Sequence, residues 1–364
     1  MSAFSHGPVT IDEVVMPRSL SEDHDGVFTG MMAVRNAVEV AGYGIPEVAV
    51  SAEEMLPNYL DENEPKRVLL ARVGGAIVGR AVLVRQLDDS EAGAEVGWLD
   101  VQVLPEFQRR GIGRALSDAI ERLARDLGQS RLITYAVSAD APGERLVAPT
   151  GFGSVPAGNR EVRFLLARGW TLEQVERGSR FVLPADPTAL AALRASAETH
   201  ATDYRVLTWA GATPAELLDD LAFLQTRMST DAPSAGLGEP LDVWTAERFA
   251  NKEALLLDAP MQLFTAAALH EPSGRLAGFT RLNAPNDVGR AVGQWDTIVL
   301  REHRGHRLGM LLKVANLQLL EENAPGHPSV LTWNAEENRP MLAVNETVGF
   351  VPIGYEGAWK KVLT

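Results

Sequence analysis

The sequence predicts an α/β (α+β) fold that consists of two similar domains in tandem. Three observations lead to this prediction. The chain has 364 residues, which suits two domains of ordinary size. A residue pattern around Val103 recurs around Val299, 196 positions later. Each copy carries β-favouring apolar runs followed by one amphipathic helical pattern. Two copies so far apart indicate tandem domains and not a short-period array.

The repeat is clearest where a strand leads into a helix. The first copy reads Gln108-Arg-Arg-Gly-Ile-Gly113 at this point, and the second reads Arg304-Gly-His-Arg-Leu-Gly309. The same offset also pairs residues of the preceding strands, namely Gly97 with Gly293, Asp100 with Asp296 and Val103 with Val299.

The elements around each copy can be predicted in order. In the first copy, apolar runs over 68–73 and 76–85 flank Gly74-Gly75, a two-residue hairpin signal. A strand ending at Val103 follows, then a helix over 112–127 and a strand over 131–137. The second copy repeats this order, with strands over 261–269, 276–282 and 329–333, a strand ending at Val299 and a helix over 308–319. A Gly-aromatic step and a terminal hairpin are predicted to close each copy.

A short helix is predicted between the copies. Asp186 is a suitable N-cap and Pro187 suits the first helical position. The domains are therefore predicted as residues 1–184 and 203–364, with a linker helix in 185–202.

Composition excludes several classes of protein. The net charge is −14 and no run of Lys or Arg suggests a nucleic-acid interface. No stretch of 18 apolar residues predicts a membrane span, and no leader pattern is visible, so a cytoplasmic location is expected. The chain has no Cys, which excludes disulfides, Cys-ligated zinc and a thiol nucleophile. His303 and His306 lack a third ligand nearby, so no metal site is expected.

The segment Gln108–Gly113 has the features of a diphosphate-binding loop. Backbone N–H groups at the start of a helix form an anion site. Gly111 and Gly113 allow close approach, and three cations surround them: Arg109, Arg110 and Arg114. A Walker loop requires Gly-Lys-Ser/Thr, which is absent. A Rossmann fingerprint requires a third Gly, where this chain has Leu116.

The pattern Val103-x-Pro105-x-x-Gln108-x-x-Gly111-x-Gly113 resembles the acyl-CoA signature of the GNAT N-acetyltransferase superfamily. The layout is similar to that of tandem actinobacterial members. The resemblance implies two GNAT domains, each a mixed twisted sheet of about six to seven strands flanked by helices. It also implies acetyl-CoA as cosubstrate, a primary amine of a small molecule as acceptor, and a monomer or homodimer. The alternative is an acyl-CoA-binding tandem protein without turnover.

The resemblance also implies which residues contact acetyl-CoA. In the first copy they are Val101, Val103, Gln108, Arg109, Arg110, Gly111, Ile112, Gly113 and Arg114. In the second they are Val299, Arg304, Gly305, His306, Arg307, Leu308, Gly309 and Asn338. The second match is weaker, because Arg307 stands where the first Gly belongs. Asn338 matches a CoA-contacting Asn of the family, whereas the first copy has Gly158 at the corresponding position.

The sequence also suggests candidates for the catalytic base. The family's proton-donating Tyr is replaced by Leu165 in the first copy and Asn345 in the second. Both Gly97 and Gly293 occupy the position of the family's usual carboxylate base. The remaining candidate bases are Asp296, Asp100 and Glu95, although each has the alternative role of stabilising local structure.

The second half is predicted to do the chemistry. It keeps Asn338, and Asp296 would accept the amine proton directly or through water. Strand alternation places Asp296 opposite Val299 unless a β-bulge intervenes. A long turn-rich segment over 228–240 is expected either to line the acceptor pocket of that half or to be a plain surface loop.

Overall fold

The computed structural model describes residues 7–85 and 95–363. The chain divides into two compact units. The first unit comprises Met1–Glu176, Ala235–Pro240 and Gly354–Thr364. The second comprises Arg177–Ser234 and Leu241–Ile353.

The first unit is a mixed sheet of seven strands, in the order β1-β2-β3-β4-β5-β14-β8. The β4–β5 pair is parallel, and the pairs from β1 to β4 and between β5 and β14 are antiparallel. The strands are β1 (Val9–Val14), β2 (Lys66–Val73), β3 (Ala76–Val84), β4 (Val96–Val103), β5 (Arg131–Ser138), β8 (Thr171–Val182) and β14 (Val351–Val362). Strand β8 contributes residues 171–176 to this unit, and β14 contributes residues 354–362. Two short strands, β6 (Arg145–Val147) and β7 (Ser154–Pro156), form a separate hairpin.

Helices cover both faces of this sheet because its inner strands are apolar on both sides. The helices are α1 (Val27–Tyr43), α2 (Ala52–Tyr59), α3 (Ile112–Asp126) and α4 (Arg160–Ala167). On β2, Val68 and Leu70 pack with α1 and α2, while the alternate residues Leu69 and Ala71 pack with α3. This alternation defines an α1 face and an α3 face of the sheet.

Residues distant in sequence complete the core of the first unit. Trp359 of β14 is 1% exposed and belongs to the cluster that contains α3. Leu237, within the segment Ala235–Pro240, is fully buried against Val96 and Ile133 on the α1 face. We call Ala235–Pro240 the inserted segment. The first unit therefore requires three separate stretches of the chain.

The second unit has the strand order β8-β13-β12-β11-β10-β9. Its strands are β9 (Tyr204–Ala210), β10 (Met261–His270), β11 (Arg275–Pro285), β12 (Val292–Val299), β13 (Ser329–Ala335) and residues 177–182 of β8. Its helices are α5 (Pro187–Glu198), α6 (Leu218–Asp231), α7 (Ala246–Asp258), α8 (Leu308–Asn323) and α9 (Arg339–Val348). Helix α8 packs with α5 on one face, and α6 and α7 cover the other.

The predicted fold class and the six to seven strands per domain are confirmed. The predicted helix at Pro187 is also present, and the Asp186 side chain accepts a hydrogen bond from the Thr188 N–H. Helix α5 is part of the second unit, because Leu190 and Ala197 are buried against α8. The predicted terminal hairpins are wrong, since each copy ends in one twelve-residue strand. The chain passes between the units after Glu176, earlier than residue 184.

Each unit contains a fork, the point at which two parallel strands stop pairing. In the first unit, β4 and β5 pair at only three positions, the last being Trp98 with Ile133. In the second unit, β12 and β13 pair at only two positions, Val292 with Val330 and Gly293 with Leu331. Beyond each fork the two strands diverge and leave backbone groups open to a ligand.

No helix among the residues described, 7–85 and 95–363, combines the length and apolarity that crossing a membrane demands.

Candidate active site

The loop between β4 and α3 presents a helix N-terminus to solvent. Gly111 is the N-cap of α3, with φ of +83°, and as a glycine it offers no side-chain oxygen to the N–H groups of the first turn. Gln108 connects the loop to the end of β4, because its Nε2 donates to the Val103 carbonyl at 3.1 Å. The backbone N–H groups at the start of α3 are therefore positioned for an anion.

The corresponding loop of the second unit has the same backbone conformation with Gly and Arg exchanged. Arg304 Nε donates to the Val299 carbonyl at 3.2 Å, as Gln108 does to Val103. Two positions in each loop have positive φ. They are Arg109 (63°) and Gly111 (83°) in the first unit, and Gly305 (90°) and Arg307 (53°) in the second. The register predicted from the sequence is thus correct, and Arg307 does not change the path of the backbone.

The two loops differ in how their cations are paired. In the second unit, Arg307 Nη1 donates to Ser196 Oγ of α5 at 3.0 Å. The carboxylate of Asp231 is 2% exposed and lies 3.5 Å from Arg301 and 3.8 Å from Arg304. In the first unit, Arg109 and Arg114 are exposed and make no such contact within the described residues. The first loop therefore has cations available for a phosphate, whereas those of the second are already occupied.

A cavity of about 120 Å³ opens at the fork of the first unit. Its lining includes side chains from both sides of the sheet, since Ser117 belongs to α3 and Glu39 to α1. The cavity is thus continuous through the gap between β4 and β5. The lining residues used below are Glu39, Asp100, Val101, Gln102, Ser117 and Tyr135.

Carboxylates lie at the α1 side of this cavity. Asp100 follows the fork on β4; its side chain is half exposed, and its Oδ2 lies 3.5 Å from Arg80 Nη2. Glu39 Oε1 accepts a hydrogen bond from Gln102 Nε2 at 2.8 Å. Burial raises the pKa of Glu39, and the charge of Arg35 opposes this shift. This side of the cavity is therefore suited to a cationic group.

A phenol faces the same side. Tyr135 is the second residue of β5 beyond the fork, and its hydroxyl donates to Glu239 Oε1 at 3.1 Å. Burial, followed by the charge of Glu239, raises the pKa of Tyr135 well above its ordinary value. Burial also raises the pKa of Glu239. The inserted segment thus supplies a polar group to the first unit.

The fork of the second unit is surrounded by groups that already have partners. Strand β12 contains a bulge opposite Arg281, and Asp296, on the face opposite Val299, lies towards α6. Burial raises the pKa of Asp296, while the Arg281 charge and a hydrogen bond from Gln225 oppose the shift. Arg281 itself is 2.6 Å from Glu253. Asp296 therefore lies beside a buried Arg281–Glu253 ion pair and has a hydrogen-bond partner in Gln225.

Lys313 of α8 distinguishes the second unit further. Its position in the repeat corresponds to that of Ser117, which lines the first cavity. Lys313 is 1% exposed and lies over the Phe350 ring at 5.6 Å. Burial lowers its pKa from 10.5 to about 7. A long side chain therefore occupies the place that a small hydroxyl has in the first unit.

The remaining predicted residues have mixed placements. Glu95 is exposed at the beginning of β4, where it accepts from Ser130 Oγ, and about 26 Å of strand separates it from Val103. This distance places it away from the loop. Ile112 and Leu308 are buried in their helices. Gly97 has no room for a side chain, because a Cβ would come within 2.5 Å of Gln129.

The predicted absence of an Asn in the first copy is wrong. Asn338 caps α9 and accepts from the Met341 N–H at 3.4 Å. The cap of α4 is Asn159, not Gly158, because the first copy is one residue shorter between this cap and Gly169. Asn159 Nδ2 donates to Ser138 Oγ and to the Ala139 carbonyl. Both α4 and α9 begin with an Asn-Arg pair, and this shared pair in the sequence could have identified Asn159 as the counterpart of Asn338.

Sequence reasoning also missed Glu39, Tyr135 and Glu239. Glu39 lies on a helix outside any motif, and Glu239 lies in a segment assigned to the other half. Tyr135 was only part of a predicted strand. Within the described residues there is no group of three or more His, Asp or Glu side chains placed to hold a metal ion.

Comparison with known proteins gives a family match for part of the chain and a shared fold for nearly all of it. Residues 32–152 match the model of the acetyltransferase (GNAT) family. A solved tandem GNAT protein from the clavulanic acid biosynthesis pathway, determined without AcCoA, has a TM-score of 0.70 and 24% identity, over 97% of this chain and 98% of that chain. A GCN5-related N-acetyltransferase from Sphaerobacter thermophilus has a TM-score of 0.59 and 16% identity, over 98% of this chain and 97% of that one.

A third structure is the GCN5-related glucosamine N-acetyltransferase region of a fungal multi-domain β-N-acetylglucosaminidase. It has a TM-score of 0.61 and 17% identity, over 99% of this chain and 39% of that one. No curated protein sequence matches significantly. Residues 32–152 thus match the GNAT acetyltransferase family, and the chain as a whole shares the fold of a solved tandem GNAT protein.

Proposed function

We propose that the protein is an acetyl-CoA-dependent N-acetyltransferase that acts on a primary amine of a small molecule, and that the first unit is the catalytic one. The observation that carries this proposal is the open cavity through the fork of the first unit, beside an uncapped helix N-terminus. The family match over residues 32–152 falls on the same unit.

The residues of the first loop fit a diphosphate. Helix α3 begins at the exposed Gly111, and Arg109 and Arg114 supply positive charge nearby. The diverging edge of β4 offers main-chain groups to an extended ligand arm. Acetyl-CoA would supply a thioester carbonyl at the fork, and the protein's part is to align the amine with it.

Asp100 is the proposed base. Its carboxylate is half exposed at the α1 side of the cavity, where an ammonium group can approach. The amine must lose a proton before its nitrogen can attack a carbonyl carbon. Asp100 accepts this proton directly or through one water, while Glu39 adds a second carboxylate that favours a cationic acceptor.

The sequence favoured Asp296 and the second half, and three contacts support the opposite assignment. Asp296 is engaged with Gln225 and Arg281. The cations of the second loop are paired with Ser196 and Asp231. Lys313 takes the place of Ser117. These contacts support a structural role for the second unit.

The test compares Asp100→Asn with Asp296→Asn in the full chain. Release of CoA thiol from acetyl-CoA is followed against a panel of monoamines, diamines, polyamines and amino sugars. The protein contains no Cys, so the thiol signal comes from CoA alone. We expect Asp100→Asn to lower kcat by about 10²–10⁴ with little change in acetyl-CoA affinity, and Asp296→Asn to change it less than about 3-fold.

The opposite ranking of the two variants would return the chemistry to the second unit. Acetyl-CoA binding without thiol release for any amine would favour the alternative, an acyl-CoA-binding protein without turnover. The observation that motivates this alternative is that Leu165 and Asn345 replace the proton-donating Tyr of the family.

A further inference from the structure

We propose that Tyr135 donates the proton to the departing CoA sulfur in the first unit and that Glu239 of the inserted segment positions it. This inference rests on the proposed acetyl transfer. It assigns to β5 a role that the resemblance places on the helix after β5, where this chain has only Leu165.

The register of the fork places Tyr135 opposite the base. Trp98 and Ile133 are the last paired residues of β4 and β5. Asp100 and Tyr135 are each two residues further along, so both side chains point to the α1 face. Both residues line the same cavity. An acyl carbonyl held in the gap would therefore have a carboxylate on one strand and a phenol on the other.

The chemistry requires a proton donor at this point. When the neutral amine nitrogen has bonded to the carbonyl carbon, the C–S bond breaks and its electron pair goes to sulfur. The Tyr135 O–H turns from Glu239 to that sulfur and gives it its proton, so that the free thiol of CoA leaves. The new amide nitrogen loses its remaining extra proton to water, the phenolate regains a proton from water, and the first amine proton also passes from the base to water. The phenol is available because burial keeps it protonated.

Glu239 acts through Tyr135 and not on the substrate. Its Oε1 accepts the phenol hydrogen bond at 3.1 Å, which fixes the ring in the cavity. The segment itself is anchored by Leu237, fully buried, and by Lys360 Nζ, which donates to the Gly236 carbonyl. A loop that follows α6 in sequence thus completes the site of the first unit.

The experiment uses Tyr135→Phe in the full chain, with Tyr355→Phe as a matched control. Tyr355 lies on the neighbouring strand β14 and packs against the α3-face cluster, away from the cavity. Calorimetry compares CoA with desulfo-CoA, which lacks the sulfur. We expect Tyr135→Phe to weaken CoA binding by about 3–10-fold and to leave desulfo-CoA unchanged. With an accepted amine, kcat should fall by roughly 10²-fold while the KM for acetyl-CoA stays constant.

A double-mutant cycle tests the positioning role. Glu239→Ala should lower kcat, Glu239→Gln should restore part of it, and Tyr135→Phe/Glu239→Ala should be no slower than Tyr135→Phe within about 2-fold. Wild-type kcat in Tyr135→Phe, or equal loss of CoA and desulfo-CoA binding, would overturn the inference. Sulfur-dependent CoA binding through Tyr135 without turnover of any amine would instead contradict the proposed function alone.

Discussion

Position 111 and its counterpart 307 show how one backbone conformation accommodates different residues. Both are helix N-caps with positive φ, a region that L-residues with a Cβ enter at a cost of about 1–2 kcal/mol. Arg109 and Arg307 bear this cost, whereas Gly111 and Gly305 avoid it. The strain is therefore equal in the two loops, and the difference between them lies in the partners of their cations.

This symmetry supplies a matched pair of variants for acetyl-CoA binding. Gly111→Val forces a β-branched residue into the positive-φ region beside the helix N-terminus. We expect calorimetry on the full chain to show acetyl-CoA affinity reduced by at least roughly 10-fold. Gly305→Val carries comparable backbone strain in the second unit and should leave the affinity within about 2-fold. Equal losses in both variants would mean that strain alone, and not a site in the first loop, sets the affinity.

The burial of Lys313 leads to a prediction about how the free energy of unfolding depends on pH. Its pKa is lowered to about 7 by burial, so between pH 7 and its ordinary value of 10.5 the unfolded chain binds a proton that the folded chain lacks. The free energy of unfolding therefore rises with pH in this window, by at most about 1.4 kcal/mol per pH unit from this group. Lys313→Met should be more stable than wild type near pH 7, with an advantage that shrinks towards pH 9.5. Urea titrations of both proteins at several pH values measure this, and a constant difference would contradict it.

Among the elements, the inserted segment shows that a loop can belong to a unit distant in sequence. Leu237 is fully buried with Val96 and Ile133, and a Cβ on Gly238 would come within 2.7 Å of the Arg131 guanidinium. These contacts fix residues 235–240 on the α1 face of the first sheet. The sequence left two alternatives for residues 228–240, a wall of the acceptor pocket in the second half or a surface loop, and residues 235–240 instead belong to the first unit.

Leu237→Ala tests how firmly this segment is attached. Removing a fully buried Leu should lower the free energy of unfolding by about 2–5 kcal/mol, because a cavity remains where the side chain was. Leu241→Ala is the control, since Leu241 is 50% exposed and its truncation should cost less than about 0.5 kcal/mol. Both values come from urea unfolding. Similar values for the two variants would show that the segment is not docked in solution.

The fork is the other element that decides function. In the first unit, β4 has continuous register with β3 and diverges from β5 after Trp98. In the second unit, a bulge of β12 lies opposite Arg281, on the far side of Asp296 from Val299. The register from Thr297 to Val299 is continuous, so strand alternation places Asp296 on the face opposite Val299. That face is covered by α6, and Asp296 lies there near Gln225 and Arg281.

At the scale of the whole molecule, the first unit is not formed by one contiguous stretch of the chain. Residues 355–362 of β14 pair with all of β5, and Trp359 is 1% exposed within the core of this unit. A fragment that ends near the predicted boundary at 184 lacks this strand and the inserted segment. Its β5 would have an unpaired edge beside an exposed core.

We therefore predict that residues 1–184 alone do not form a cooperative fold. Loss of a buried Trp and a whole strand exceeds the stability of an ordinary domain. Near-UV circular dichroism and urea unfolding should show weak tertiary signal and no sharp transition for this fragment. Joining residues 351–364 to its end through a flexible Gly/Ser linker should recover part of the transition. A sharp transition of residues 1–184 without that addition would refute the prediction.

Much of the architecture followed from the sequence because it depends on local patterns. The alternation of apolar residues predicted the β2–β3 and β10–β11 hairpins, and helical spacing predicted α3 and α8. The repeat of Gln108 and Arg304 predicted two equivalent loops, and both side chains support the preceding strand in the same way. The N-cap at Asp186 could also be predicted, because an N-cap hydrogen bond forms between residues two or three positions apart.

The sequence by itself determined that the chain has two copies of one fold, where each copy changes from strand to helix, and which loop is suited to a diphosphate. Only the tertiary structure decided which distant segments join the first unit, that Asp296 lies beside Gln225 and Arg281, and that Tyr135 and Asp100 line one cavity. The physical reason is that periodicity and capping are encoded over a few residues. Burial, ion pairing and strand exchange depend instead on contacts between residues as far apart as Tyr135 and Glu239.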